Sequence, residues 1–254
     1  MPSSRNPSGP SPASPSEPAA PAPSRASAGD AGPPGRLARR LLRLYGGLVL
    51  YGVSLAAMVR AGLGLGPWDV FHQGVAGHSG LSIGTVLIIT GAAVLLLWIP
   101  LRERPGLGTV SNVLVIGLVM DGALAVLPEP DALAVRIPLL VASVVLNGAA
   151  TGLYITARFG AGPRDGLMTG LHRVTGWSVR LVRTGIELTV LAAGFLLGGS
   201  VGAGTVLYAL AIGPASQFFL RVLAPPAPAG AGGTADGTAD RPAGRRRRRA
   251  ILRP

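Results

Sequence analysis

The chain lacks cysteine and lysine, and its acidic residues are few. The sequence has 11 Asp and Glu residues and 23 Lys and Arg residues, and all 23 of these are arginine. The absence of cysteine excludes disulfides and thiolate chemistry. The absence of lysine, together with a bias toward Ala, Gly and Pro, is typical of high-GC coding, so the preference for arginine has little functional meaning.

The motifs of common enzyme classes are also missing. The three histidines, His72, His78 and His172, do not have the spacing of a metal site such as HExxH, and neither a Walker loop nor a G-x-S-x-G motif occurs. The Gly64-x-Gly66 pattern is not a dinucleotide fingerprint, because proline follows it and no strand is expected before it. We therefore expect no enzyme activity, no cofactor and no bound metal.

What the sequence does contain is an internal repeat. The segment GLGPWD at 64–69 returns as GAGPRD at 160–165, an offset of 96 residues. The same offset places GLGTV at 106–110 onto GAGTV at 202–206. A constant offset at glycines, prolines and aspartates, whose backbone roles are specific, indicates a duplicated structural unit.

The apolar residues lie between two polar ends, which is a membrane-protein composition. Residues 1–36 and 225–254 are rich in Pro, Ala and Gly and are predicted to be disordered tails. Between them, residues 37–128 form membrane repeat 1 and residues 129–224 form membrane repeat 2. Six stretches approach the roughly 20 apolar residues that cross a bilayer: about 38–59, 82–100, 107–127, 135–157, 178–198 and 202–223.

Three spans per repeat give the two copies opposite orientations in the membrane. The predicted fold is therefore an all-α membrane protein with six transmembrane helices in two inverted three-helix repeats. The arginines support cytoplasmic N- and C-termini, because only Arg60 and Arg136 fall outside. The arginines near cytoplasmic ends are Arg36, Arg39, Arg40, Arg43, Arg102, Arg104, Arg158, Arg164, Arg173, Arg180 and Arg221. Trp98 and Trp177 lie at predicted helix ends, where indoles prefer the membrane interface.

Each repeat also has a short segment that begins with the GxGPxD pattern, at 67–79 and 163–175. Proline suits the first helical position, and the aspartate two residues later meets the positive end of the helix dipole. About 13 residues give roughly 20 Å of helix, which is too short to span. One interpretation is an interfacial helix with an acidic N-terminus. The other is a re-entrant helix whose N-terminus points toward a central cavity, as in transporter sites.

Further polar groups fall within the predicted spans. Asp121 lies in the third span, and its repeat equivalent in the sixth is Gln217. Ionisable groups at such positions usually face a cavity or a partner. Glu187 lies one helical turn from Arg183, so either a structural ion pair or a proton or substrate site fits this spacing.

The segments GLGLGPWDVFHQG, GLGTVSNVLVIGLVMDG and GAGPRDGLMTGLHR resemble the YczE-like bacterial integral membrane proteins and, more distantly, the YitT-type membrane proteins. The resemblance covers about residues 45–223. It implies a multi-pass protein of the bacterial cell membrane. It implies no agreed biochemical activity, and therefore no catalytic residues.

The resulting functional hypothesis is a small-solute transporter or exporter with a binding site where the repeats meet. The candidate substrate-binding residues are Asp69, Asp165, Asp121, Glu187, His72 and Gln217. The alternative is a membrane scaffold or regulatory partner that does not transport, and an intramembrane enzyme is a weaker third hypothesis. The expected partners are the lipid bilayer and an unknown solute. The run Arg245 to Arg249 is expected to bind anionic lipids rather than nucleic acid.

Overall fold

The computed structural model describes residues 34–224, which fold into eight α-helices without a β-strand in this range. The helices are α1 (Pro34–Ala61), α2 (Pro67–Ser79), α3 (Ile83–Leu101), α4 (Leu107–Val126), α5 (Leu133–Thr156), α6 (Pro163–Thr175), α7 (Val179–Leu196) and α8 (Ala203–Leu223). Helix α1 begins at Pro34, two residues before the predicted end of the N-terminal tail at residue 36. Most of both predicted tails, including Arg245 to Arg249, lies outside the described residues.

Five helices are long and apolar enough to cross a membrane: α1, α3, α4, α5 and α8. The sequence predicts a sixth span at 178–198, where the structure has α7. That helix has only 18 residues and contains Arg180, Arg183 and Glu187, so it does not qualify by length and composition alone. Over residues 34–224 the protein is thus an all-helical membrane protein with five clear candidate spans, and the count of six is not confirmed.

The 96-residue repeat reappears in the helix boundaries. Helices α2 and α6 both contain 13 residues and both begin at a proline that follows an extended glycine. Each ends at a left-handed glycine, Gly80 or Gly176, with φ of 71°. Earlier in the linkers, Gly64 and Gly160 have φ of 111° and 121°, a conformation that favours glycine. The sequence repeat therefore encodes a repeated backbone geometry.

Helices of one repeat pack against helices of the other, so the two repeats do not form separate units. Helix α1 packs along its repeat equivalent α5, while α4 packs on α1 and α8 packs on α5. The short helix α2 packs on α7 of the other repeat, and α6 packs on α3 in the equivalent way. The centre of the molecule is apolar, with Leu44, Leu48 and Met120 fully buried. Burying these side chains favours the folded chain through close packing.

The linkers before α2 and α6 are held by backbone hydrogen bonds to the opposite repeat. The N–H of Gly204, at the start of α8, donates to the carbonyl of Leu63. The N–H of Gly108, at the start of α4, donates to the carbonyl of Phe159, the repeat equivalent of Leu63. A Cβ on Gly204 would lie 2.5 Å from the carbonyl oxygen of Gly64, so this close approach requires glycine. These contacts fix where both short helices begin.

The expectation that Trp98 anchors the chain at the membrane interface is wrong. Its side chain is buried, and the indole N–H donates to the carbonyl of Pro163 at 3.1 Å. The indole also fills the space beside Gly166, where a Cβ would collide with the ring. Trp98 thus positions the first turn of α6. Trp177 is exposed, as expected.

Candidate functional site

A cavity of about 340 Å³ lies where the N-terminal ends of α2 and α6 converge. Residues 66–69 line it from the first repeat, and residues 162–165 line it from the second. A bulkier residue at Gly66 or Gly162 would encroach on the adjacent aspartate, because a Cβ there would lie about 3 Å from the Asp69 or Asp165 carboxylate. The repeated GxGPxD pattern therefore positions two carboxylates at one cavity.

The wall formed by the first repeat contains a buried carboxylate. Asp69 is 2% exposed, and its Oδ1 accepts no hydrogen bond within the described part of the chain. Nδ1 of His72 lies 3.4 Å from this oxygen, and a guanidinium nitrogen of Arg164 lies 3.9 Å from it. The Arg164 guanidinium also stacks over the indole of Trp68, 4.8 Å from the ring centroid. A buried carboxylate oxygen without a hydrogen bond is rare and indicates a functional site or a missing partner.

The wall formed by the second repeat has a different character. Asp165 is exposed to the cavity, and its Oδ2 accepts a hydrogen bond from the Tyr154 hydroxyl at 3.1 Å. Tyr51 packs edge-on against Tyr154, with ring centroids 6.3 Å apart, and also lines the cavity. Tyr208 lines it from α8 beside Gly66. Aromatic faces and phenol hydroxyls thus surround the two carboxylates.

Glu187 and Gln217, predicted as site residues, also line this cavity. Glu187 accepts a hydrogen bond from Arg183 at 2.9 Å, so the intrahelical ion pair expected from the spacing is present. Both side chains also lie in the cavity wall. Their ion pair is therefore compatible with a place in a binding site.

Asp121 is the one predicted site residue that does not line the cavity. Its carboxylate accepts hydrogen bonds from the Ser82 hydroxyl and from the Gly84 N–H at 2.8 Å. Both groups lie at the start of α3, where the first N–H groups of a helix have no partner within the helix. Asp121 therefore joins the end of α4 to the beginning of α3.

The two repeats differ in how their last two helices pack. Helix α3 packs closely on α4, whereas α7 makes no comparable contact with α8, although both of those helices are described in full. In the first repeat, Gly84 and Gly91 on α3 leave room for α4. The equivalent positions on α7 hold Arg180 and Glu187, whose side chains prevent the same approach. The part of the cavity wall that α7 and α8 form includes two exposed residues, Arg183 and Gln217.

Comparison with known proteins places the chain in a family. A model described as a family of unknown function, DUF6198, matches residues 38–221. The chain belongs to this family. A Haemophilus influenzae protein described as uncharacterized is 42% identical over 177 residues, 70% of this chain and 81% of that protein. The uncharacterized membrane protein YczE of Bacillus subtilis is 38% identical over 179 residues, 69% of this chain and 83% of YczE.

A second Bacillus subtilis protein, the uncharacterized protein YyaS, is 24% identical over 168 residues, 64% of this chain and 84% of YyaS. No solved structure matches the chain. The YczE-like resemblance is confirmed by the DUF6198 match and by the relatives. The matched range includes all eight helices except the ends of α1 and α8.

Several residues that line the cavity of this DUF6198 protein are not among the site residues predicted from its sequence. Arg164 is predicted near a cytoplasmic helix end, but the structure places its guanidinium in the cavity beside Asp69. The repeat indicates that Arg164 lies at the cavity, because it is equivalent to Trp68 and the neighbours of both residues line the cavity. Nothing comparable in the sequence indicates that Tyr51, Tyr154 and Tyr208 line it. Their contribution depends on how α1, α5 and α8 pack.

Proposed function

We propose that this DUF6198 protein is a small-solute transporter or exporter of the cell membrane whose binding site is the cavity between the repeats. One observation carries the proposal: the N-terminal ends of both short helices, each with an aspartate in its first turn, line one cavity. Paired short helices at equivalent positions of two repeats are the best pointer to a transporter site. This geometry favours the re-entrant interpretation of α2 and α6 over the interfacial one.

The proposed topology has six spans, with α7 as the sixth, the two repeats inverted, and both termini cytoplasmic. Pairing of Arg183 with Glu187 lowers the cost of placing α7 in the membrane. The exchanged packing of α2 on α7 and α6 on α3 supports a two-fold relation between the copies. The arginine distribution supports the orientation.

In this topology, the cavity is accessible from the cytoplasm. Arg183 and Gln217 lie in the cytoplasmic halves of α7 and α8, where the wall is exposed. The outer halves of α3 and α4 are joined by the Asp121 hydrogen bonds and by the close contact between Gly84 and Gly117. A cavity with one exposed and one closed end is what a transporter in one of its two access states presents.

The alternative, a scaffold that uses its polar motifs only for packing, is expected to have a filled interior. The described residues instead line a cavity that holds a buried carboxylate oxygen without a hydrogen bond, which is costly to bury without a role. We therefore favour transport.

Access to the cavity tests the orientation. The chain has no natural cysteine, and a Cβ at Gly213 would meet no atom within 4 Å, so Gly213→Cys places one thiol in the cavity wall. We expect an impermeant thiol reagent to label it in inside-out vesicles and not in whole cells. Labelling from outside alone would contradict the proposed cavity orientation.

Transport itself requires the solute. Metabolites in cells and medium should be compared with and without the gene, and the solutes that change should be followed in proteoliposomes. We expect the Asp69→Asn, Asp165→Asn double variant, reconstituted at the same density, to lose the flux. An unchanged metabolite profile together with no flux of any tested solute would favour the scaffold.

A further inference from the structure

We propose that the cavity binds a small monovalent organic cation of the guanidinium or ammonium type, and that Arg164 occupies the binding position when the cation is absent. This inference rests on the proposed function, because it names the solute class for the same cavity. It begins from a difference between the repeats. The residue after the first proline is Trp68 in one copy and Arg164 in the other, and these two side chains meet.

The position of the Arg164 guanidinium has the features of a cation site. One face lies over the electron-rich ring of Trp68, and a nitrogen is 3.9 Å from Oδ1 of Asp69. An aromatic face beside a carboxylate is how proteins bind guanidinium and quaternary ammonium groups. Yet the contact with Asp69 is not optimal, because 3.9 Å is too long for a charge-assisted hydrogen bond. Asp69 thus keeps an oxygen without a hydrogen bond although it is buried.

The charge balance of the cavity also fits one cation. Arg183 and Glu187 form an ion pair and cancel. With the His72 ring beside Asp69 counted as neutral, the remaining charges are the carboxylates of Asp69 and Asp165 against the guanidinium of Arg164, and each helix N-terminus contributes roughly half a positive charge. The cavity is therefore about neutral while Arg164 is in place. When Arg164 moves away, about one negative charge is left, which a monovalent cation neutralises.

The rest of the lining suits an organic cation better than a bare metal ion. Tyr51, Tyr154 and Tyr208 surround the carboxylates, and Trp68 offers a ring face once Arg164 leaves it. Such faces attract a cation through the ring quadrupole and also bury its apolar parts. Arg164 is part-exposed, with 28% of its side chain accessible, so it has room to move.

The experiment measures binding to the purified full-length protein in detergent by isothermal titration calorimetry. The probes are methylguanidinium and choline, each compared with an uncharged isostere, methylurea and the carbon analogue of choline. Because Arg164 competes for the same position, Arg164→Gln should bind a cationic probe about tenfold more tightly than the unmodified protein, a factor that corresponds to one desolvated cation–π contact. The uncharged isosteres should bind neither to Arg164→Gln nor to the unmodified protein.

Two variants serve as controls for this gain. Arg173→Gln removes a positive charge from the same helix, but Arg173 pairs with Glu103 and does not line the cavity, so cation affinity should stay unchanged. Trp68→Leu in the Arg164→Gln background should remove most of the gain, since it deletes the ring face. An equal gain in Arg173→Gln would show a general charge effect and overturn the competitive role of Arg164.

An anionic solute predicts the opposite result, because Arg164 and the two helix N-termini would then be its direct ligands. Loss of solute binding in Arg164→Gln, or the absence of cation binding to both proteins, would overturn the cation proposal. Transport of an anion in proteoliposomes would contradict the cation site but support the proposed transport function. Conversely, cation binding in detergent without any flux would contradict transport but support the cation site.

Discussion

Asp69 and Asp165 hold the same position in the two repeats, but their carboxylates have different partners. Oδ2 of Asp165 accepts a hydrogen bond from the Tyr154 hydroxyl, whereas Oδ1 of Asp69 is buried without one. The residue equivalent to Tyr154 in the first repeat is Met58, which has no hydroxyl to donate. The repeat thus places two carboxylates at one cavity, and the divergence of a neighbouring residue leaves one of them without this hydrogen bond.

This difference predicts unequal effects of isosteric substitutions. Asp69→Asn should abolish transport or complementation, because it removes the charge that a solute would neutralise. Asp165→Asn retains an acceptor for Tyr154 and should reduce activity less. Each change alters the free energy of unfolding by only on the order of 0.3 to 1 kcal/mol, since the main loss is the charge–dipole interaction at a helix N-terminus. Thermal unfolding measured beside activity separates the two effects. Full activity of the double variant would rule out both aspartates as the working site.

The sequence predicts the short helices well, because their signals are local. Glycine at the positions before Pro67 and Pro163, the aspartate in the first turn, and the terminal glycines Gly80 and Gly176 all act within a few residues. Both helices therefore have the predicted bounds of 67–79 and 163–175. The constant offset also predicts that the two segments play equivalent roles.

The topology prediction concerns the two sides of the membrane. In the inverted arrangement, the end of α2 faces outside and the end of α6 faces the cytoplasm. Ser79 and Thr175 are exposed, so single cysteines at these positions are accessible to solvent. An impermeant thiol reagent should label Ser79→Cys in whole cells and leave Thr175→Cys unlabelled until the cells are opened. Equal labelling of both in whole cells would contradict the inverted repeat.

The positions of two side chains, Arg164 and Trp98, show where the sequence is insufficient. A positive-inside pattern assigns every arginine to a surface, so it cannot identify one whose guanidinium packs on a distant indole. Likewise, an indole at a helix end is typical of the interface, but a glycine 68 residues later, Gly166, creates the space that buries Trp98. These placements depend on contacts between repeats, which local periodicity does not encode.

Gly117 and Gly213 are repeat equivalents that should respond oppositely to alanine. A Cβ on Gly117 would lie 2.5 Å from Ile88 Cγ1 and 2.6 Å from the Gly84 carbonyl oxygen, whereas one on Gly213 would meet nothing within 4 Å. Gly117→Ala should therefore cost about 1–3 kcal/mol through overpacking. Gly213→Ala should be neutral or stabilise the helix by up to about 1 kcal/mol. Detergent-solubilised unfolding measures both, and equal effects would refute the difference in packing.

The last prediction uses the equivalent pair Asp121 and Gln217 to test closure of the outer side. Asp121→Ala leaves the buried Gly84 N–H without its acceptor, whereas the exposed Ser82 hydroxyl still reaches Thr85 Oγ1, so the free energy of unfolding should fall by about 1–3 kcal/mol. Gln217 makes no side-chain hydrogen bond among residues 34–224, and Gln217→Ala should change stability by less than about 0.5 kcal/mol.

Access to the cavity distinguishes a gate from a simple helix cap. If the Asp121 contact closes the outer side, Asp121→Ala should make a cysteine at position 213 reactive toward an impermeant reagent in whole cells, because α3 and α4 can then separate. Gln217→Ala should leave that cysteine protected. A destabilised Asp121→Ala protein whose cysteine stays protected from outside would show that Asp121 only caps α3, and the outer barrier would then depend on the Gly84–Gly117 contact alone.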